Sequence, residues 1–526
     1  MPTKTWSWTT RVRASVVVVV LASYAPRLLS QCPDGSPPPC SPRAARPTTT
    51  ARSVAVLSLQ ARSLDTANVF LAEGLADDIA SRLGQLDRLT VRSREAVRRL
   101  HNADSMSIRQ LGHTLNAAYV LSGSMRPSAG RFHFVFELTR TQTGGVSWSS
   151  TFDRERDQLL ELQAAVAEAA ARAILRDLSQ SEQRALGLSS AHSGRAFEHV
   201  ARGTAFQARR GALLWPAVQE FRAAVSSDPQ SAVAWSRLGL AYAMCNYWGG
   251  CPVPGDSLRA SARAATDRAL VLDSALADAW LADGFSRALS PVTLPDFPRG
   301  LASLKRARTL EPRNVEVVHS IGTLLLNSGI DDEEAIRSAR AALALDPGRG
   351  ITYLVLSRIA FSQGRFRDAV ALLDTVRTLE PGWEDMSDRW DAVLALGDTA
   401  QIPGACARLA AATQANDPDP AARRVVSARC RWIGAGFLAL TTGDSSRANA
   451  VADSLVKSVN PGFWSAALLL RLGRRTEAGA MIRSMGTPGV GHARRVRSPA
   501  FAQLEELKEF RDFRDAAIRL VTTSPK

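Results

Sequence analysis

The sequence predicts a multidomain chain in which an α/β amino-terminal domain precedes an all-α helical solenoid. Two observations carry this reading. Between residues 53 and 178, β-branched and alternating runs are interleaved with segments of helical spacing. From residue 198 onward the spacing is helical throughout, and turns at Asp228-Pro229, Asp273-Ser274, Glu311-Pro312, Asp346-Pro347 and Glu380-Pro381 follow alanine-studded helices. Such a recurrence, at a period of about 34 residues, is the mark of stacked helix pairs.

Taken in order, the chain opens with basic Lys4, Arg11 and Arg13, then the apolar run ASVVVVVLAS, then small polar residues. This is the pattern of an export signal, expected over residues 1–31. Arg27 interrupts it too early for comfortable membrane spanning. Residues 32–52 read as a Pro- and Thr-rich linker. RSVAVLSLQ then reads as a strand, and TANVFLAEGLADDIASRLGQL as a helix that Asp65 or Thr66 can cap. LTVRS is a second strand, SREAVRRLH and SIRQLGHTL are short helices, and AAYVLSGSM begins a third strand. RFHFVFELTR alternates, placing Phe132, Phe134, Phe136 and Leu138 on one face, and the Gly144-Gly145 turn leads into VSWSSTFDR. With a long helix over 157–177, the sum is an α/β domain with one buried sheet face.

In the helical region, counting Pro229 as repeat position 32 puts Ala217, Phe221 and Ala224 at positions 20, 24 and 27. Counting on puts Trp235, Leu238, Gly239 and Tyr242 at positions 4, 7, 8 and 11. Jointly these resemble the tetratricopeptide (TPR) pattern over 198–383, as five units. CNYWGGCPVPGD and SPVTLPDFPR are expected to be loops inserted between the helices of a pair. Residues 384–526 continue as degenerate pairs with a capping helix near 501–520.

The amino-terminal region resembles the TolB amino-terminal-like domain, related to the FlgO-like domain. The likeness rests on VAVLSL, FLAEGLADDIASRLGQLDRLTVRSR, LGHTLNAAYVLSGSMR and WSSTFDRERDQLLELQ. SLQ stands where a Pro-Phe pair is common. The resemblance implies a non-catalytic module of bacterial exported proteins, placed before TPR arrays.

The 526 residues carry a formal charge of +15, with seven Lys or Arg and one acid, Asp34, before residue 53. Sixty of the 65 basic residues are Arg. Nothing gathers this charge into a nucleic-acid-binding stripe, so none is expected to bind. The segment HARRVR, 492–497, reads as an exposed loop. Phosphate-loop, zinc-protease and nucleophile-elbow motifs do not occur, and the seven histidines are scattered. Glu73, Asp77 and Asp78 read as a solvated helix face. We therefore expect no catalytic, cofactor or metal site. Six cysteines fit an oxidising compartment, with Cys32–Cys40 and Cys245–Cys251 able to close small loops and Cys406 and Cys430 left open.

The expected function is a non-enzymatic scaffold in the periplasm or cell envelope, with a sensory or signalling module whose α/β domain binds a small ligand as the alternative. The solenoid architecture implies a groove lined by Arg202, Phe206, Arg209, Arg210, His319, Asn327 and Arg358. Three arginines on one helix favour an acidic or carboxylate-ended peptide or protein segment. Membrane attachment is expected only if Cys32 is lipidated, and LLSQC resembles an acylation site loosely, Gln31 standing where a small residue belongs.

Overall fold

The structure, a computed structural model, describes residues 51–522 apart from short stretches, the longest being 187–193, 289–296 and 417–431. The expected leader and linker, with Cys32, Cys40 and Cys430, therefore lie outside the described residues.

β1 (Ser53–Val56) is the hub of the sheet, lying parallel to both β3 (Thr90–Val91) and β4 (Tyr119–Ser128). β2 (Gln60–Ala61) pairs with β4 beyond the end of β1. β4, β5 (Arg131–Arg140) and β6 (Val146–Glu155) form an antiparallel meander, giving the order β3-β1-β4-β5-β6. A parallel neighbour requires a crossover, which α1 (Thr66–Gly84) supplies. Asp65 caps α1 by accepting the Ala67 amide at 2.9 Å.

α1 and α4 (Leu159–Leu175) cover one face of the sheet, where Phe134, Phe136 and Leu138 meet Leu71, Leu75, Ile79, Leu162 and Val166. The alternation in β5 dictates this, since only every second side chain points at the helices. The opposite face is not wholly open. α2 (Arg94–Arg98) and α3 (Ile108–Thr114) close it over Ala55 and Val120 with Val97, Leu111 and Leu115. A parallel strand flanked on both sides, as β1 is, is buried on both faces.

The solenoid begins with five antiparallel pairs. They are α5 (Gly194–Arg209) with α6 (Leu214–Ser227), α7 (Ala232–Trp248) with α8 (Gly255–Leu272), and α9 (Ala277–Ala288) with α10 (Phe297–Leu310). α11 (Val315–Ser328) with α12 (Asp332–Leu345) and α13 (Gly350–Ser362) with α14 (Phe366–Leu379) complete the set. Ala217, Phe221 and Ala224 are fully buried. At Gly239 a Cβ would sit 2.5 Å from Thr266 Oγ1, so the crossing demands glycine. A recurring anchor fixes the register. Trp235 Nε1 donates to the Pro229 carbonyl at 3.0 Å, Trp280 Nε1 to Ser274 at 2.8 Å, and Tyr353 Oη to Pro347 at 3.2 Å. Each aromatic ties its helix to the turn six residues behind.

Two expectations change here. α7 runs through Cys245 and Tyr247 to Trp248, so the first four residues of CNYWGGCPVPGD are helix rather than loop. HARRVR is not an exposed loop either. It forms most of α21, within a returning carboxyl-terminal segment.

That segment follows α15 (Met386–Leu396), α16 (Ile402–Asn416), α17 (432–441), α18 (Ser445–Lys457), α19 (Phe463–Arg471) and α20 (Arg475–Arg483). α21 (Val490–Arg495), a 3₁₀ turn (Pro499–Glu506) and α22 (Lys508–Thr522) end the described chain. Arg494 donates to the Arg358 carbonyl, Arg497 to that of Gly329, and Ser498 Oγ to that of Phe361 at 3.1 Å. Phe501 packs between Phe361 and Phe463, with ring centroids 6.4 and 5.1 Å away. Two apolar residues three apart within the basic run, Ala493 and Val496, share one helix face and are buried with it.

Candidate functional site

The concave face of the solenoid is lined by the first helix of each pair, and its first station is already occupied. α1 of the α/β domain lies against α5 so closely that a Cβ on Gly74 would fall 2.3 Å from that of Ala201. Phe206 packs against Phe70, the rings tilted by 54° with centroids 4.6 Å apart. Phe197 and Ala201 belong to the core of the α/β domain, while Val200 on the same helix belongs to that of the solenoid. Arg88 reinforces the seam by gripping both carboxylate oxygens of Glu182, at 2.9 and 2.7 Å.

Phe206 is thus a domain-packing residue. Arg202 is likewise committed, its Nε 3.1 Å from Glu220, which also bonds His199 at 2.7 Å. These two groove expectations are corrected, because an aromatic and a basic side chain facing an amphipathic helix find their partners within the chain. Arg210 and the side chain of Arg209 lie outside the described residues.

Further along, the α/β domain roofs the concave face and leaves a cleft of about 740 Å³. Its roof comprises Asp77, Ser81, Gln85, Arg92, Arg94 and Arg98, and its floor includes Gln207, Arg237, Asp278, Glu311, Arg313 and Arg349. The charges are largely matched. Asp77 binds Arg94 and Arg98, Arg237 binds Asp278 at 2.8 Å, and Arg349 binds Glu316. Arg313 reaches across to the Asp87 carbonyl at 3.0 Å. The cleft is therefore polar and of mixed sign, not basic.

The acids of α1 are not a solvated face. Glu73 is buried, and Asp77 and Asp78 are largely so. Burial works against ionisation of Asp77, yet Arg94 and Arg98 hold its carboxyl below the usual range. Asp78 has no such guanidinium in contact; burial first, with Asp77 and Asp278 adding to it against Arg237 and Arg82, pushes it up to about 7. Burial and Asp278 also raise Glu311. Four carboxylates, Asp278 first and then Asp78, Glu311 and Asp77, thus act on Arg237. The one sequence trace of this docking is Gly74, a glycine in mid-helix.

Beyond the roof the groove continues. Met244 and Glu316 line both the cleft and a small pocket formed with Tyr247, Phe285, His319, Thr323 and Arg358. Tyr247 and Phe285 meet edge to face at 5.7 Å, giving an apolar floor. His319 is held between Thr323 Oγ1 at 3.3 Å and Thr352 Oγ1 at 3.2 Å. Arg358 is clamped to Asp388 by Nε at 2.9 Å and Nη2 at 2.7 Å. The structure thus brings His319 and Arg358 together, while Asn327, half-buried near the end of α11, is not among the pocket's lining. Tyr247 and Phe285 were missed by sequence reasoning because an extended α7 carries Tyr247 past the standard helix length.

At the end of α7, Cys245 and Cys251 form a disulfide, and Cys406 is disulfide-bonded too. Among the described residues no group of acids, histidines or cysteines could hold a metal, and no helix is long and apolar enough to cross a membrane.

No protein-family model matches the chain. Over 182 residues it is 25% identical to the putative adenylate cyclase 3 of Rhizobium meliloti strain 1021, covering 35% of this chain and 27% of that one. The chain thus spans about a quarter of the length of the curated relative it matches. Similar solved structures include YrrB, described as a TPR protein with an unusual peptide-binding site, at 20% identity and TM-score 0.25 over 38% of this chain and 91% of that one. Yeast Tom70 is similar at 16% identity and TM-score 0.30, over 66% and 62% respectively. At these scores the arrangement of this chain rests on its own helices and anchors. They make it an α/β domain docked on a TPR-type helical solenoid.

Proposed function

We propose that this chain is a non-enzymatic scaffold of the bacterial cell envelope that holds an extended segment of a partner protein in its concave groove. The observation that carries this reading is the continuity of the groove from the polar cleft to the Tyr247–Phe285 floor through Met244 and Glu316. A polar cleft of matched charges suits main-chain groups and side chains of both signs, and the apolar floor suits one anchoring side chain. The export-like leader, the disulfides and the resemblance to the TolB amino-terminal-like domain support an extracytoplasmic setting. The roofed cleft also favours a second reading, a small ligand held beneath the α/β domain.

Photo-crosslinking from the envelope separates the two. A benzophenone side chain at Tyr247 should capture a discrete partner protein, whereas one at Val271, 77% exposed on α8, should not. Capture from both positions alike, or from neither, overturns the scaffold reading.

A further inference from the structure

The α/β domain has a free edge whose geometry defines its own partner. Among the described residues β6 is the outermost strand, paired with β5 on one side only. The Arg140 amide donates toward β6, to Gly145, while that of Thr141 donates toward β4, to Ala118. Even-numbered residues of β5 therefore bond β6. Their opposites, Trp148, Ser150, Phe152 and Arg154, spend their amides inward. Ser149, Thr151 and Asp153 point theirs outward, where no described residue meets them.

Both ends of this stretch are closed. The outward amide of Glu155 is taken by Gln158 Oε1 at 3.1 Å. At the other end a register shift between Leu138 and Thr139 breaks the ladder before Trp148. A bulge ends regular pairing. The free segment is thus centred on Thr151.

We propose that β6 pairs antiparallel with β6 of a second copy of this chain, across a twofold axis through Thr151, joining the two sheets into one. That register sets Thr151 opposite Thr151 of the partner subunit and Ser149 opposite Asp153 of the partner subunit. Each of the three bonded pairs then exchanges two backbone hydrogen bonds, the Asp153 carbonyl exchanging the bond it accepts from Arg154 Nη1 at 2.9 Å for one from the partner strand. On the helix-bearing face Trp148 falls opposite Arg154 of the partner subunit, a cation–π pairing, and Ser150 opposite Phe152 of the partner subunit. Nowhere do like charges oppose each other, as a self-pairing strand requires. Trp148 and Phe152 are only partly buried at this edge, so the second sheet covers apolar surface that one copy leaves half-exposed. An isologous contact of this kind closes at two subunits and does not propagate.

Sedimentation velocity of the full chain, up to about 100 μM, tests this, since strand addition alone makes a weak dimer. The wild type and Thr151→Val should dimerise. Thr151→Lys places two ammonium groups face to face on the axis and should raise the dissociation constant at least about tenfold. Thr151→Cys should crosslink to dimer with a short bismaleimide, and Val271→Cys should not. A monomer throughout the range, or a dimer indifferent to Thr151→Lys, overturns the proposal; the first result would leave the edge to a strand of another protein.

Discussion

Gly74 and Ala201 meet with no room for a methyl group between them, the would-be Cβ of Gly74 standing 2.3 Å from the Cβ of Ala201. This contact welds the α/β domain to the first helix of the solenoid and puts Asp77 with its partners Arg94 and Arg98 over the groove. Gly74→Ala should therefore cost about 1–3 kcal/mol by overpacking. Denaturant unfolding reads the loss, and a variant as stable as the wild type would show that the two helices do not pack at this distance.

Asp78 should make stability fall as pH rises. Its carboxyl is raised from 3.8 to about 7 in the folded chain, so between those values the folded state holds a proton that the unfolded state releases. Stability from this group is complete below about pH 4 and lost through pH 7. Asp78→Asn, which stays neutral, should flatten that part of the profile and stabilise the chain at pH 8 by about 1–3 kcal/mol. Melting curves at pH 5 and pH 8 decide it: equal pH dependence in the two proteins would mean that Asp78 ionises normally.

Arg202 should be a stability residue and not a capture residue. Replacing it by Gln leaves Glu220 with His199 as its remaining hydrogen-bond partner and should cost about 1 kcal/mol, while crosslinking from Tyr247 stays unchanged. Loss of capture in a folded Arg202→Gln chain would return the arginine to the binding surface.

The Cys245–Cys251 bridge closes a sequence separation of 6 and so restrains the unfolded chain little. Its removal by double Ala substitution should cost no more than about 2–3 kcal/mol. Because Tyr247 lies inside the bridged segment, partner capture should weaken before the chain unfolds. Full capture by the double variant would separate the loop from the groove.

The repeats were legible because their signals are local. An aromatic at position 4, a glycine at position 8 and alanines at 20 and 27 each report a contact made within a helix pair or with the turn just before it, as the bond from Trp235 back to Pro229 illustrates. The docking of the α/β domain was not legible, because it joins Gly74 to Ala201 and Arg313 to Asp87, residues with no shared period. The same holds for charge. Asp77 looked solvated in sequence because its partners, Arg94 and Arg98, come to it only when β3 lies beside β1. HARRVR looked like a loop because its charges mask Ala493 and Val496.

The returning carboxyl-terminal segment alters the order in which this protein can be completed. Arrays of helix pairs can ordinarily be finished one unit at a time as the chain emerges, each new pair covering the last. Here the Arg494–Arg358 and Arg497–Gly329 bonds span 136 and 168 residues. Until residues 494–501 arrive, the flank of α11 and α13 lacks this cover, and Phe361 has Phe366 but not Phe501 beside it. The middle of the molecule is therefore covered only after residues 494–501 are made, and a chain stopped before them leaves that flank open to chaperones and proteases.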